Sequence, residues 1–109
     1  MNKTTPDRRS TERYSLRIPL HLRIWGSSDP ERIAESVDLS GRGVLLETDY
    51  PLRVGSVVDL QLKLPEEITA QPTTEWRCRG HVVRVVAHAT LNGSLRAGVH
   101  FDRLNVSGV

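Results

Sequence analysis

Hydrophobic and polar residues alternate along most of this chain. From Leu16 to Ile24, the residues Leu16, Ile18, Leu20, Leu22 and Ile24 fall on one side, and Arg17, Pro19, His21 and Arg23 on the other. A period of two marks a half-buried strand. Pro19 has no N–H to give to a ladder, so the strand should meet an edge or a bulge there. Gly26-Ser27-Ser28-Asp29-Pro30 reads as a turn. A second strand is predicted from Arg32 to Val37, a turn from Asp38 to Gly43, and a third strand from Val44 to Thr48, broken by Asp49-Tyr50-Pro51. Val58, Leu60, Leu62 and Leu64 share one face of a fourth strand, Val57 to Leu64, which Pro65 stops. Glu66 to Thr73, with Pro72, reads as a loop.

A fifth strand begins near Glu75, with Trp76, Cys78, Gly80 and Val82 alternating with Arg77, Arg79 and His81. The phase slips at Val82-Val83, after which Val83 and Val85 form the apolar set, and a bulge there accounts for the slip. Asn92-Gly93 predicts a tight hairpin turn, since both residue types accept positive φ. The sixth strand follows, with Leu95, Ala97, Val99 and Phe101 on one face. Asp102 to Val109 is too short, and too rich in Ser and Gly near its end, for a good helix. Six short strands without an amphipathic helix predict an all-β antiparallel barrel or sandwich. The expected division is a flexible basic arm over 1–13, the β-domain over 14–103, and a short tail over 104–109.

Composition sharpens this picture in three places. At 109 residues with 5% aromatics, the chain can bury one modest core built mainly of Val, Leu and Ile. The net charge of +2 is too small to imply general affinity for nucleic acid, but it is unevenly spread. Up to Trp25 there are six basic residues (Lys3, Arg8, Arg9, Arg13, Arg17 and Arg23) against Asp7 and Glu12, a local excess of +4 suited to a compact anion. The start of the chain has no apolar signal region, no apolar run could span a bilayer, and the single Cys78 can form no internal disulfide. These features lead to the expectation of a cytoplasmic protein.

Two short motifs carry the candidate chemistry. The first is Arg8-Arg9-Ser10-Thr11-Glu12-Arg13, in which Arg9 and Arg13 are separated by three residues. Guanidinium is planar, permanently charged and forked, and matches phosphate or the Hoogsteen edge of guanine. The plainer reading is a solvated basic tail. The second is Asp38-Leu39-Ser40-Gly41-Arg42-Gly43. Asp38 can accept a pair of hydrogen bonds such as guanine N1–H and N2–H supply, Ser40 can donate or accept, and Gly43 lets a ring or phosphate come close to the backbone. The plainer reading is a β-turn in which Asp38 and Ser40 cap local N–H groups.

Together, Arg9-xxx-Arg13 followed by Asp38-x-Ser40-xx-Gly43 resembles the double signature of the PilZ domain family. Similarity extends over nearly the whole chain, through the Trp76 strand and Ala97-Gly98-Val99-His100-Phe101. The resemblance implies a six-stranded β-barrel that binds the bacterial second messenger cyclic di-GMP. It implies that Arg9 and Arg13 contact phosphate and guanine, with Asp38, Ser40 and Gly43 as the opposing wall. An arginine at the position of Arg8 further implies a stacked pair of ligands, whose four phosphate charges call for more than two cations. Many members carry a helix after the last strand, whereas this chain stops soon after Phe101, which leaves oligomeric state and the downstream protein partner open.

The other candidates point elsewhere. His21, His81, His88 and His100 lack metal-ligand spacing, and no catalytic constellation, P-loop or paired carboxylates stand out. Cys78, two residues from Trp76, reads as a buried structural thiol. The sequence therefore predicts a non-enzymatic receptor with neither metal nor cofactor, whose basic arm closes on the ligand. Two rivals stay open: a PilZ-like interaction barrel without a nucleotide, and a small barrel for single-stranded nucleic acid. The second needs stacking aromatics that this chain has few of.

Overall fold

The computed structural model describes residues 13–70, 72–87 and 94–108. Of the arm expected over 1–13, residues 1–12 with Arg8 and Arg9 lie outside the described residues, as does the predicted Asn92-Gly93 turn. Seven strands form one antiparallel sheet: β1 (Arg13–Tyr14), β2 (Pro19–Ile24), β3 (Arg32–Ser40), β4 (Gly43–Thr48), β5 (Val57–Leu64), β6 (Thr74–Ala87) and β7 (Leu95–Gly108). A single helical turn, α1 (Glu66–Thr69), occupies part of the stretch expected to be loop. The strand order is β1-β3-β2-β5-β6-β7-β4, and β4 pairs back onto β3. That last pairing closes β2 to β7 into a six-stranded barrel, with β1 as an addition beside β3. Closure pairs the middle of the ring on both sides, while among the described residues β7 beyond Phe101 pairs with β6 alone.

Alternation dictates the interior. Leu20 and Leu22, Val58 to Leu64 at every second residue, and Trp76, Cys78 and Val82 all point inward and are buried together with Ala97, Val99 and Phe101. Trp76 is 1% exposed and is the largest side chain in the core. Pro19 stands at the start of β2, paired with Glu35 of β3, while the β5 pairing begins only at His21. Its missing N–H therefore costs no bond between β2 and β5.

Three irregularities shape the barrel. The register of β6 on β7 shifts between Val82 and Arg84. The predicted bulge is there, but Val83 is the extra residue and is 50% exposed, so the inward set passes from Val82 to Val85 and does not include Val83. A second shift between Arg79 and Gly80 leaves Asp102 of β7 unopposed. Beyond it, β7 continues to Gly108 through the stretch expected to be a tail. The third lies in β3 between Ser36 and Asp38, where Val37 is extra. Because of it, β3 does not end at Val37 but runs on to Ser40, and the turn to β4 shrinks to Gly41 and Arg42.

Candidate functional site

The bulge at Val37 decides where the second motif points. Ala34 and Ser36 face the interior. Strict alternation would send Asp38 and Ser40 inward after them, burying a carboxylate in an apolar core. The extra residue reverses the phase, so that Leu39 is buried at 1% exposure and Asp38 and Ser40 face outward. A bulge that re-aims a side chain in this way is common next to binding sites.

The first motif is brought to the second by β1. Arg13 lies opposite Ser40 and Tyr14 opposite Leu39 on the same edge of β3 that β2 uses further back. Ser36 fastens the link between β1 and β2. Its side chain is fully buried, its Oγ accepts from Ile18 N–H at 3.0 Å and donates to the Leu16 carbonyl at 2.8 Å, and its own N–H donates to the Ile18 carbonyl at 2.9 Å. Arg17, in the same link, reaches Glu35 at 2.9 Å and Glu47 at 3.1 Å, and Arg96 meets Glu47 at 3.2 Å. These two guanidinium groups, Arg17 first, hold the Glu47 carboxyl below its ordinary range.

With the link fixed, the Arg13 guanidinium donates to Asp38 Oδ2 across twenty-five positions of sequence. That hydrogen bond, and then the carboxylate charge, raise the Arg13 pKa. The other oxygen, Asp38 Oδ1, is buried and has no hydrogen-bond partner among the described residues. Ser40 Oγ accepts from the Arg42 N–H at 3.2 Å. Gly43 is set by the barrel itself: a Cβ there would stand 2.2 Å from the Val99 carbonyl oxygen of β7. Of the predicted residues, Arg13, Asp38, Ser40 and Gly43 come together.

They line a groove of about 290 Å³ that runs from the end of β3 over β4 onto β7 and β6. Three further groups reach it: Arg42 from the turn, Arg84 from just beyond the Val83 bulge, and His100 beside Gly43. Neither Arg42 nor Arg84 has an ion pair among the described residues, so the groove carries an excess of positive charge around the single carboxylate Asp38. Sequence reasoning gave these three no role. Arg42 lies within the second motif, but Arg84 and His100 join the groove only because β4 pairs with β7 and β7 with β6. The second histidine of this region, His81, stands opposite His100, with ring centroids 5.5 Å apart, and meets Asp102 at 2.9 Å. Among the described residues no cluster of His, Cys, Asp or Glu could hold a metal, and no helix is long and apolar enough to cross a membrane. Cys78 is buried, and burial pushes its thiol up to about 12.

The chain is similar in structure to the inhibitor of motility (MotI/DgrA) of Bacillus subtilis, with a TM-score of 0.68 at 15% identity. The similarity covers 85% of this chain but only 42% of that one, so this chain spans less than half the length of that protein. At this identity the likeness concerns the fold alone. No curated protein matches the sequence. The family model described as PilZ domain matches residues 7–108, a span that takes in both motifs and every strand of the barrel. By that match, the chain belongs to the PilZ domain family.

Proposed function

We propose that the groove binds cyclic di-GMP and that the chain is a non-enzymatic receptor acting in the cytoplasm. The observation that carries this reading is the meeting of Arg13 and Asp38 beside an excess of cations, with one buried oxygen of Asp38 free of hydrogen bonds among the described residues. A guanine offers N1–H and N2–H to such a carboxylate, and its O6 and N7 accept from a guanidinium fork. Ligand binding exchanges partners: Asp38 passes from Arg13 to the base, and Arg13 passes to phosphate or to the Hoogsteen edge. Arg42 and Arg84 add charge for the phosphates, and Arg8 and Arg9 arrive with the arm, which orders over the groove and changes the surface a partner protein meets. The three arginines of the arm favour two stacked ligands, since one dianion needs fewer cations.

The rival, a PilZ barrel that binds no nucleotide, draws on Ser40 and Gly43, each of which serves the barrel itself. Titration with cyclic di-GMP, cyclic di-AMP, GMP and a single-stranded oligonucleotide separates the readings. Saturable binding of cyclic di-GMP at two per chain, and much weaker binding of cyclic di-AMP, is expected, because adenine N6 presents a donor to the arginine fork. Absence of cyclic di-GMP binding favours the rival, and preference for the oligonucleotide favours the nucleic-acid barrel.

A further inference from the structure

In the closed ring β3-β2-β5-β6-β7-β4, strand β5 lies across from β4. The wall centred on β5 therefore faces away from β4 and the turn that carries Asp38, Ser40 and Gly43. Its outer face holds a second groove, of about 370 Å³, crossing β2, β5, β6 and β7. One row of register partners runs straight across it: Arg23 opposite Asp59, Asp59 opposite Arg79, and Arg79 opposite Arg103. With Arg77, four guanidinium groups line the groove against two carboxylates, Asp59 and Glu31.

Placing Arg79 directly opposite Arg103 works against stability, since like charges in facing positions of a sheet repel. Arg79 is engaged by Asp59 at 2.8 Å, and Arg77 by Glu75 at 3.3 Å. Arg23 and Arg103, at the two ends of the row, have no ion pair among the described residues. They are three strand spacings apart, roughly 14 Å. An extended chain covers about the same distance in four residues. Under the groove β5 is paired on both sides, with β2 and with β6, while among the described residues β7 beyond Phe101 is paired with β6 alone; the cations at issue are side chains on the outer face.

We propose that this outer face docks an extended acidic segment of a partner protein, with carboxylates about four residues apart received by Arg23 and Arg103. A nucleic acid fits less well. Trp25, 57% exposed at the margin, has the Arg79 guanidinium 5.4 Å from its ring centroid and is not a free stacking face, and Asp59 and Glu31 interrupt a continuous run of phosphates. A carboxylate pair matches the two end cations and leaves the Asp59–Arg79 pair in place between them. Because the two grooves share no lining residue, and meet β6 and β7 at different stretches, the acidic segment and the nucleotide can be held at once.

The probe is a fluorescent Gly/Ser peptide carrying glutamates four residues apart, compared by anisotropy at low salt with its glutamine counterpart and with a single-stranded oligonucleotide. The wild-type protein should bind the glutamate peptide, with affinity that falls as salt rises and at least about tenfold in Arg23→Gln or Arg103→Gln. The glutamine peptide should not bind. Arg103→Gln should keep or raise the melting temperature, since it relieves Arg79, and both variants should keep the wild-type response to cyclic di-GMP. The proposal is overturned if the glutamate peptide fails to bind, if the variants bind it as the wild type does, or if the oligonucleotide binds more tightly than the peptide. A lowered melting temperature in Arg103→Gln would instead make that arginine a structural residue and likewise overturn the assignment.

Discussion

Replacing Ser36 by alanine tests whether the brace between β1 and β2 positions the site. Ser36 is fully buried, and its hydroxyl joins the Ile18 N–H at 3.0 Å to the Leu16 carbonyl at 2.8 Å. Ser36→Ala removes both bonds and leaves a donor and an acceptor behind. Each such group costs about 1–3 kcal/mol when it is left unsatisfied away from water. Leu16 and Ile18 are only half-buried, so water recovers part of this, and a loss of about 2 kcal/mol is expected. For a domain of this size, an unfolding entropy of ~2.1 cal/mol/K per residue converts that to a melting temperature lower by about 9 °C. Urea titration should show a lower midpoint with an unchanged slope, because the surface exposed on unfolding is the same. The same substitution should loosen β1, which among the described residues pairs with β3 through Arg13 and Tyr14, and so weaken cyclic di-GMP binding by at least about threefold. An unchanged melting temperature would refute the energetic argument. A lower one with undiminished nucleotide affinity would refute the link from brace to site.

Three further outcomes follow from the geometry. Deleting Val37 removes the bulge and joins Ser36 directly to Asp38 in the register they already hold, so plain alternation keeps Asp38 outward and Leu39 inward and the variant should still melt cooperatively; loss of the cooperative melt would mean that Val37 is not merely an extra residue in the ladder. The Glu47 carboxyl lies below its ordinary value of 4.5 because of Arg17 and then Arg96, so the stability it gives is complete above about pH 4.5 and is lost as pH falls through the lowered folded-state value. Glu47→Gln should flatten the acid side of the stability–pH curve, by a small amount since the pair is exposed; an identical curve would count against it. Cys78, buried and with its thiol pushed up to about 12, should react with iodoacetamide at pH 8 only as fast as the protein opens, and labelling of the native protein at the rate of a free thiol would contradict its burial.

Much of the barrel was legible because side-chain direction in a strand has a period of two. The slip at Val82-Val83 was visible as two successive apolar residues, although Val83 proved to be the residue pushed outward and not part of the inward set. The equivalent irregularity at Val37 was hidden. Its inward neighbour, Ser36, is polar and sits in the core because it bonds to the backbone of the β1–β2 link, so the alternation seemed to end where it only changed phase. Both motifs could be read as short spacings and assigned to two sides of one site, but the direct contact of Arg13 with Asp38 was not foreseen. Arg84 and His100 could not be assigned to it, because their place in the groove depends on the pairing of β4 with β7 and on a bulge in a third strand. Gly43 shows a residue whose motif position and structural reason differ: the close approach it permits among the described residues is that of the Val99 carbonyl.

The central claim is that Arg13 and Asp38 hold the two sides of a cyclic di-GMP site, and calorimetric titration of the ligand into wild type, Arg13→Ala and Asp38→Ala at one moderate salt concentration tests it most directly. Charge-assisted hydrogen bonds contribute ~1.5–3 kcal/mol, so each substitution should weaken binding at least about tenfold while the barrel still melts cooperatively, since both side chains lie outside the core. Saturable heat in the wild type with that loss in both variants is the predicted result. No heat in the wild type, or affinities in the two variants equal to the wild type, would contradict the claim and place the function of this barrel elsewhere on its surface.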